Sequence, residues 1–97
     1  MKALVLHDGD HVAVAVGNGG AGQECWIQNV NGTTSTVTLR SDVPFGHKLA
    51  VRDIAVGETV SKYGQPIGVA TQDISVGMHV HTHNLGGHRA NLRGESQ

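Results

Sequence analysis

Frequent glycines divide this chain into short apolar runs, and that feature most limits its fold. Fourteen of the 97 residues are glycine, and valine recurs in the runs between them. β-Branched side chains fit pleated strands better than helices, while glycine favours chain reversals. Because Trp, Tyr and Phe occur once each, the core must consist mostly of Val, Ile, Leu and Ala. The sequence therefore predicts one small, all-β or mainly β domain of short strands.

Several strands and turns can be assigned locally. Residues 3–7 and 11–16 read as two short strands, and "GNGGAGQ" at 17–23 as a connecting loop without a phosphate-binding spacing. The dipeptide Asn31-Gly32 lies between "ECWIQNV" and "TTSTVTLR" and suits the positive φ angles of a type I′ turn. This pattern predicts a β-hairpin.

An internal repeat follows in the second half of the chain. "DIAVGETV" at 53–60 and "DISVGMHV" at 73–80 share Asp, Ile, Val, Gly and Val at the same offsets. Two copies are too few for a solenoid, which needs three or more. The repeat instead predicts a duplicated turn and strand, with Gly57 and Gly77 in the turns. Between the copies, "KYGQPIGVA" predicts a Gly-Gln-Pro turn and a short strand at 67–70.

Charge and cysteine content exclude some classes of protein and favour others. Seven Lys and Arg against eight Asp and Glu give a net charge of −1, which is unlike the basic surface of a nucleic-acid binder. No apolar segment approaches the roughly 20 residues that cross a bilayer. The single cysteine, Cys25, cannot form an intrachain disulfide and is expected in the core. A cytoplasmic protein is therefore predicted, with no membrane partner.

The segment "HVHTHN" is the first candidate site. On an extended strand His79, His81 and His83 would share one side, and two imidazoles at this spacing can bind one divalent cation. The alternative is a strand end whose histidines bond only to water or to backbone.

Two further polar groups are candidates. "PFGHKLA" places His47 and Lys48 after a turn, and "SKYGQPIG" contains Lys62 and Tyr63. A solvated His-Lys pair and a Tyr ring packed on the sheet are the structural alternatives. The Tyr63 hydroxyl could donate a hydrogen bond to an oxyanion.

The order of these motifs from Pro44 to Asn84 resembles the N-terminal segment of the altronate and galactarate dehydratase family. The matching features include Gly46-His47-Lys48, Lys62-Tyr63-Gly64 and Val80-His81-x-His83-Asn84. The resemblance implies a SAF domain with a β-clip fold, a small barrel-like arrangement of strands, at residues 1–84. Residues 85–97 would then be a polar extension that contacts a large catalytic subunit. The small subunit of sulfolactate sulfo-lyase is similar too.

The resemblance also implies a function. The chain would be the small subunit or N-terminal domain of a lyase that dehydrates a sugar acid, inactive without its large partner. Alternatives are a sulfolactate sulfo-lyase subunit and a non-catalytic lid or assembly module; a homo-oligomer is left open. A divalent metal, Fe²⁺ or Mn²⁺, would be held mostly by the large subunit or shared with it. The implied roles are catalysis for His47 and Lys48, substrate binding for Lys62, Tyr63 and Asn84, and metal binding for His81 and His83, with no weight on His79.

Overall fold

The computed structural model describes residues 1–87, and every helix or strand assigned in that part is a β-strand. The all-β prediction is confirmed. No helix that could span a membrane occurs in this range. The strands are β1 (Lys2–Leu4), β2 (Val12–Ala15), β3 (Glu24–Gln28), β4 (Thr34–Thr38), β5 (Lys48–Ala50), β6 (Thr59–Lys62), β7 (Gln65–Ala70), β8 (His79–Val80) and β9 (Leu85–Gly86).

The strands form two sheets. The six-stranded sheet has the order β4-β3-β1-β2-β5-β8 and curls into a half-barrel, and the three-stranded sheet has the order β6-β7-β9. All neighbours are antiparallel except β1 and β3. Strands β1 and β2 are shorter than the predicted 3–7 and 11–16. Within the predicted extension, which starts at residue 85, β9 pairs with β7; its residues 88–97 lie outside the described part of the chain.

Two apolar cores lie on opposite sides of β2 and β5. Ala13 and Leu49 belong to the first core, whereas their neighbours Val12 and Ala50 belong to the second. Side chains alternate between the two faces of a strand, so one strand can serve both cores. Cys25 is fully buried in the first core, as predicted, and burial raises its thiol pKa. A protonated, enclosed thiol is a poor nucleophile.

The predicted repeat is present, and the structure shows two further copies of it. We call the copies turn units: the first is 18–25, the second 42–49, the third 53–60 and the fourth 73–80. In each unit a β-bridge residue precedes a tight turn, and a strand follows. The fifth residue of every unit is a glycine with φ between 80° and 91°.

The turn units pair in twos. Bridges join Gly19 to Val43 and Ile54 to Ile74. The Asn or Asp that opens each unit also accepts a hydrogen bond from a backbone N–H in the partner's turn. The bonds run from Phe45 to Asn18 (2.8 Å), Ala21 to Asp42 (2.9 Å), Val76 to Asp53 (3.0 Å) and Val56 to Asp73 (2.9 Å). Pairing of β5 with β8 then joins the second unit to the fourth.

The two hairpin turns differ from their predicted forms. The hairpin of β3 and β4 is confirmed, but in its loop only Gly32 has positive φ, at 87°, so the turn is not type I′. The Asn31 side chain accepts hydrogen bonds from the N–H and hydroxyl of Thr33, which fixes a longer loop. The predicted Gly-Gln-Pro turn is wrong as well: the turn is at Tyr63 and Gly64, with φ of 56° and 72°, and Gln65 already belongs to β7.

Candidate functional site

Four imidazoles from two distant segments of the chain lie together. The ring centroid of His47 is 5.1 Å from that of His79 and 4.7 Å from that of His81. The His79 centroid lies 5.4 Å from those of both His81 and His83. Nδ1 of His47 is 2.9 Å from Nε2 of His79, so one of these nitrogens donates a proton and the other accepts it. We call these four residues the histidine cluster.

Sheet pairing brings the two segments together. In the register of β5 and β8, Lys48 lies opposite Val80 and Leu49 opposite His79. The N–H of His79 donates a hydrogen bond to Oγ of Ser41 at 2.7 Å, which fixes the start of β8. His47 is therefore near His79 because the turn units preceding β5 and β8 end side by side.

Asn84 shapes the remainder of the cluster. The predicted extended strand from 79 to 83 is wrong, because β8 ends at Val80 and a turn follows. Within that turn, Oδ1 of Asn84 accepts from the N–H of His81 at 3.0 Å, and Nδ2 donates to the carbonyl of His79 at 2.9 Å. The side chain is 3% exposed. The Asn84 amide thus holds the histidine rings close together by closing the turn that carries them. The predicted contact of Asn84 with substrate stays a prediction.

Burial and positive charge favour the neutral forms of two groups here. Burial, assisted by the charge of Lys62, lowers the pKa of the Lys48 ammonium. Burial also lowers the pKa of His79, and the neighbouring imidazoles and Lys48 lower it further. A neutral amine or imidazole can accept a proton, and pKa values lowered in this way are common at functional sites. The site can therefore hold groups for proton transfer beside the positive charge of Lys62.

Tyr63 is presented at the tip of the β6–β7 hairpin. Its side chain is 67% exposed, and its backbone has the positive φ that non-glycine residues seldom adopt. The buried carboxylate of Asp10 accepts hydrogen bonds from the N–H groups of Tyr63, at 2.6 Å, and Gly64, at 3.0 Å. No sequence pattern indicated this role of Asp10, which fixes the hairpin tip next to Lys62.

A second histidine contact was also missed. Nδ1 of His11 accepts a hydrogen bond from the N–H of Ser61 at 3.1 Å and lies 3.0 Å from its hydroxyl. Nε2 lies 3.0 Å from Oε2 of Glu58. Because a backbone N–H can only donate, Nδ1 must be the acceptor and Nε2 carries the proton. The Ser-His-Glu order resembles a hydrolase triad, but Nδ1 already accepts from the N–H of Ser61. The contacts connect the residue before β2 to β6 and to the turn that precedes β6.

The predicted metal ligands are His81 and His83. Within residues 1–87, no group of three or more His, Cys, Asp or Glu side chains could hold a metal ion. Imidazole is a suitable ligand for divalent transition metals, but a site needs about four ligands in total. The two rings fit a metal only as part of a shell completed from elsewhere, so the metal stays a prediction.

A shallow groove runs past one side of the histidine cluster. His79, His83 and Asn84 line it on one side, with Arg40, Ser41 and Gln72 among the other lining residues. Nε2 of Gln72 donates to the carbonyl of His83 at 2.9 Å and so braces the turn. Of the predicted site residues, His83 and Asn84 line this groove, and His47 and His81 contact the ring of His79, which lines it too.

Comparison with known proteins reveals two kinds of relative. The family model for the altronate/galactarate dehydratase SAF domain matches residues 1–88. Altronate dehydratase of Escherichia coli (strain K12) is 49% identical over 92 residues, which cover 95% of this chain and 17% of that protein. Altronate dehydratase of Bacillus subtilis (strain 168) is 35% identical over 87% of this chain and 16% of that protein. The chain thus spans about one sixth of the length of these two relatives.

The second kind of relative is a short subunit, and the match covers most of its length. The alpha subunit of (2R)-sulfolactate sulfo-lyase from Chromohalobacter salexigens is 44% identical over 86 residues, covering 84% of this chain and 90% of that subunit. The corresponding subunit from Paracoccus pantotrophus is 48% identical over 48 residues. A segment like this one therefore occurs both inside a long chain and as a separate subunit.

Proposed function

The chain belongs to the altronate/galactarate dehydratase SAF domain family, and we propose on that premise that it is the small module of a lyase that dehydrates a sugar acid. The observation that carries the proposal is the contact of His47 with His79 and His81, at a place where the charge of Lys48 also acts on His79. The wider family is one of dehydratases and lyases, and this cluster supplies the proton-transfer groups that their chemistry requires. A cytoplasmic location belongs to the same proposal.

The proposed reaction determines what the site must contain. Dehydration of a sugar acid removes the weakly acidic proton next to the carboxylate and expels the neighbouring hydroxyl as water. A positioned base takes the first proton and a positioned acid protonates the leaving group. Fixed positive charge and hydrogen-bond donors stabilise the enediolate-like intermediate. An anionic substrate thus needs cations and two groups able to exchange protons.

His47 and Lys48 are assigned to proton transfer. Lys48 has a lowered pKa, and His47 shares a proton with His79. A base whose pKa lies near the working pH is the most effective, and burial moves Lys48 in that direction. His79 joins them in this assignment because it contacts the other three rings of the cluster.

Lys62 and Tyr63 are assigned to substrate binding. Lys62 ends β6, close enough to Lys48 for its charge to lower the pKa of the Lys48 ammonium. The exposed Tyr63 hydroxyl is free to donate to a substrate oxygen, since the ring projects from the hairpin tip. The ammonium would neutralise the substrate carboxylate. Asn84 contributes indirectly by ordering the turn that carries His81 and His83.

The proposed divalent metal, Fe²⁺ or Mn²⁺, would contact His81 and His83 and take its other ligands from a larger part of the enzyme. When bound, such a metal supplies Lewis-acid stabilisation of the substrate carboxylate and hydroxyl. The two imidazoles have neighbouring rings in the cluster that fix their positions.

A large catalytic body is the proposed partner. The altronate dehydratases extend far beyond the matched region, which makes up 17% and 16% of their lengths. His79 of the histidine cluster lies on an edge strand, β8, and the cluster borders a shallow groove. Such an open cluster needs a second surface to exclude water and to surround the substrate. We expect the 97-residue chain alone to lack turnover.

Sulfolactate sulfo-lyase is the second candidate function. The specific observation in its favour is the match itself, 44% identity over 86 residues that cover 90% of one alpha subunit. Loss of sulfite from sulfolactate begins with the same proton removal next to a carboxylate and differs in its leaving group. The same His47 and Lys48 would therefore serve either reaction.

The test begins by isolating the large partner with the 97-residue chain as bait. The complex is then assayed on altronate, galactarate and (2R)-sulfolactate. Lys48→Met and His47→Gln should each lower turnover about 10²-fold or more without loss of complex. Lys2→Met is the matched control, because Lys2 is exposed on β1. Unchanged turnover in both site variants, with complex formation intact, would favour the non-catalytic assembly role.

A further inference from the structure

Three of the four turn units close their turn with the side chain of their sixth residue. This side chain accepts a hydrogen bond from the backbone N–H of the third residue of the same unit. The pairs are Gly20 N–H to Gln23 Oε1 at 3.0 Å, Ala55 N–H to Glu58 Oε1 at 3.0 Å, and Ser75 N–H to Met78 Sδ at 3.3 Å. An amide, a carboxylate and a thioether all serve, so the turn requires only an acceptor atom within reach.

The second turn unit departs from this rule. Its third residue is Pro44 and its sixth is His47. The backbone turn itself is the same, because the N–H of His47 donates to the carbonyl of Pro44 at 3.0 Å, as in the equivalent bonds of the other units. Proline has no N–H to donate. Nδ1 of His47 lies instead 2.9 Å from Nε2 of His79.

We propose that Pro44 is a positioning residue: by removing a backbone donor, it releases the His47 ring from the turn into the histidine cluster. Sδ of a methionine and Nδ1 of a histidine lie the same number of bonds from Cα, and Met78 reaches its turn N–H with Sδ. An N–H at position 44 would thus be within reach of His47 Nδ1. This is the atom that contacts His79, and a ring nitrogen has a single lone pair or a single proton in the ring plane, so the two bonds would compete for it.

A hydrogen bond of His47 within its own turn should form in preference to its hydrogen bond with His79. Donor and acceptor would belong to one tight turn whose backbone is already fixed, so bonding them orders little additional chain. The contact with His79 joins residues 32 positions apart and keeps two partly buried rings together. A donor at position 44 therefore withdraws His47 from the cluster. The catalytic consequence of this withdrawal rests on the proposed function, whereas the geometry does not.

The structural test compares the 97-residue chain with its Pro44→Ala variant by nuclear magnetic resonance. In the variant we expect loss of the through-space signals between the His47 ring and the rings of His79 and His81. The new amide proton at position 44 should show a scalar coupling to His47 Nδ1 across the hydrogen bond. Persistence of the ring contacts in the folded variant would overturn the proposal. Pro44→Ser, which copies the fourth unit, repeats the test if Pro44→Ala is poorly folded.

Ala55→Pro provides the matched control. It places proline at the same position of the third turn unit and removes the donor to Glu58. The ring contacts of the histidine cluster should stay unchanged, because Glu58 lies outside it. Loss of those contacts in Ala55→Pro as well would show that any change in a turn unit disturbs the cluster, which would also overturn the proposal.

A kinetic comparison separates this inference from the proposed function. In the assembled enzyme Pro44→Ala should lower turnover about 10²-fold, the usual effect of a misplaced catalytic group. It should add little to His47→Gln, since both changes remove the same ring. If the rings separate while turnover is unchanged, the positioning role stands and the catalytic role of His47 fails. If turnover falls while the rings stay together, the positioning role is overturned.

Discussion

At the scale of single residues, His79 is a member of the site that sequence spacing alone could not identify. The motif at the carboxyl end of β8 directed attention to His81 and His83, yet His79 makes ring contacts with all three other members of the cluster. Its hydrogen bond to His47 crosses 32 residues of sequence. Only the pairing of β5 with β8 creates that contact, and a strand of two residues leaves almost no pattern in a sequence.

Asp10 carries the first stability prediction. Its two carboxylate oxygens accept from two N–H groups at the hairpin tip, and the side chain is 2% exposed. In Asp10→Asn one acceptor becomes a donor that faces an N–H. The free energy of unfolding should fall by about 1–3 kcal/mol, the cost of an unsatisfied buried group. Urea denaturation measures the change, with the exposed Asp8→Asn as control. Equal stability of the two variants would contradict the role of Asp10.

Glu58 carries a prediction about pH. Hydrogen bonds from the N–H of Ala55 and from His11 lower the pKa of its carboxyl below the ordinary value of 4.5. In acid the unfolded state therefore binds more protons than the folded state. The contribution of Glu58 to stability is complete above pH 4.5 and is lost as the pH falls through the pKa of the folded state. Glu58→Gln should therefore weaken the dependence of stability on pH in that acid range. The variant keeps its turn bond, because Gln23 makes the same bond in the first unit.

The measurement for Glu58→Gln is the denaturation midpoint at neutral pH and at pH values just below 4.5, for variant and parent. The difference in midpoint between neutral and acid should be smaller in the variant. The same difference in both proteins would mean that other carboxylates dominate acid unfolding.

At the scale of elements, the turn unit shows where sequence reasoning succeeds and where it stops. The third and fourth units share enough letters to be recognised. The first has Asn18 instead of Asp, and the second has Pro44 and Phe45 in its turn, so neither resembles them closely. What all four share is physical: an oxygen acceptor at the first position and a glycine with positive φ at the fifth. Many different sequences meet these two requirements, so the first and second units cannot be recognised by their letters.

The hairpins show the same limit. Residue preference correctly placed a turn near Asn31-Gly32, yet the hydrogen bonds of Asn31 to Thr33 decided its length. For β6 and β7, a distant carboxylate selected Tyr63 and Gly64 over the more typical Gly-Gln-Pro segment. A side-chain hydrogen bond within the loop therefore decides the first turn, and tertiary hydrogen bonds override local turn preference in the second.

Gly57 and Gly77 allow a matched prediction about the turn units. They occupy the fifth position of the third and fourth units with φ of 88° and 91°. A Cβ on Gly57 would meet nothing within 4 Å, whereas one on Gly77 would lie 2.3 Å from the carbonyl oxygen of Thr38. Gly57→Ala should cost about 1–2 kcal/mol, the penalty of positive φ alone. Gly77→Ala should cost clearly more.

Thermal and urea unfolding of both alanine variants measures this difference, which isolates the contact between the fourth unit and β4. Because β4 is the far edge strand of the sheet, the extra cost reports how closely the sheet curls onto that unit. Equal losses in the two variants would mean that no such close approach exists.

At the scale of the whole molecule, the alternation of β2 and β5 between two cores couples the two halves of the fold. Val12 pairs with Ala50 in the second core, and Ala13 pairs with Leu49 in the first. Neither core can open without exposing strands that the other needs. In the histidine cluster, His47 directly precedes β5 and His79 begins β8. The geometry of the cluster therefore depends on both cores and could not be derived from either segment alone.

This coupling predicts a single unfolding transition. Ile27 and Ile74 are each 1% exposed, one in the first core and one in the second. Alanine at either position should lower the free energy of unfolding by about 2–5 kcal/mol, the usual cost of truncating a buried Ile. Amide signals of β1 and β3 report on the first core, and those of β6 and β7 report on the second. The unfolding midpoints measured by the two probes should fall together in both variants, because the shared strands β2 and β5 couple the two cores. If Ile74→Ala lowered only the unfolding midpoint of β6 and β7 while that of β1 and β3 stayed in place, the two cores would be independent, and changes in the second would leave His47 in position.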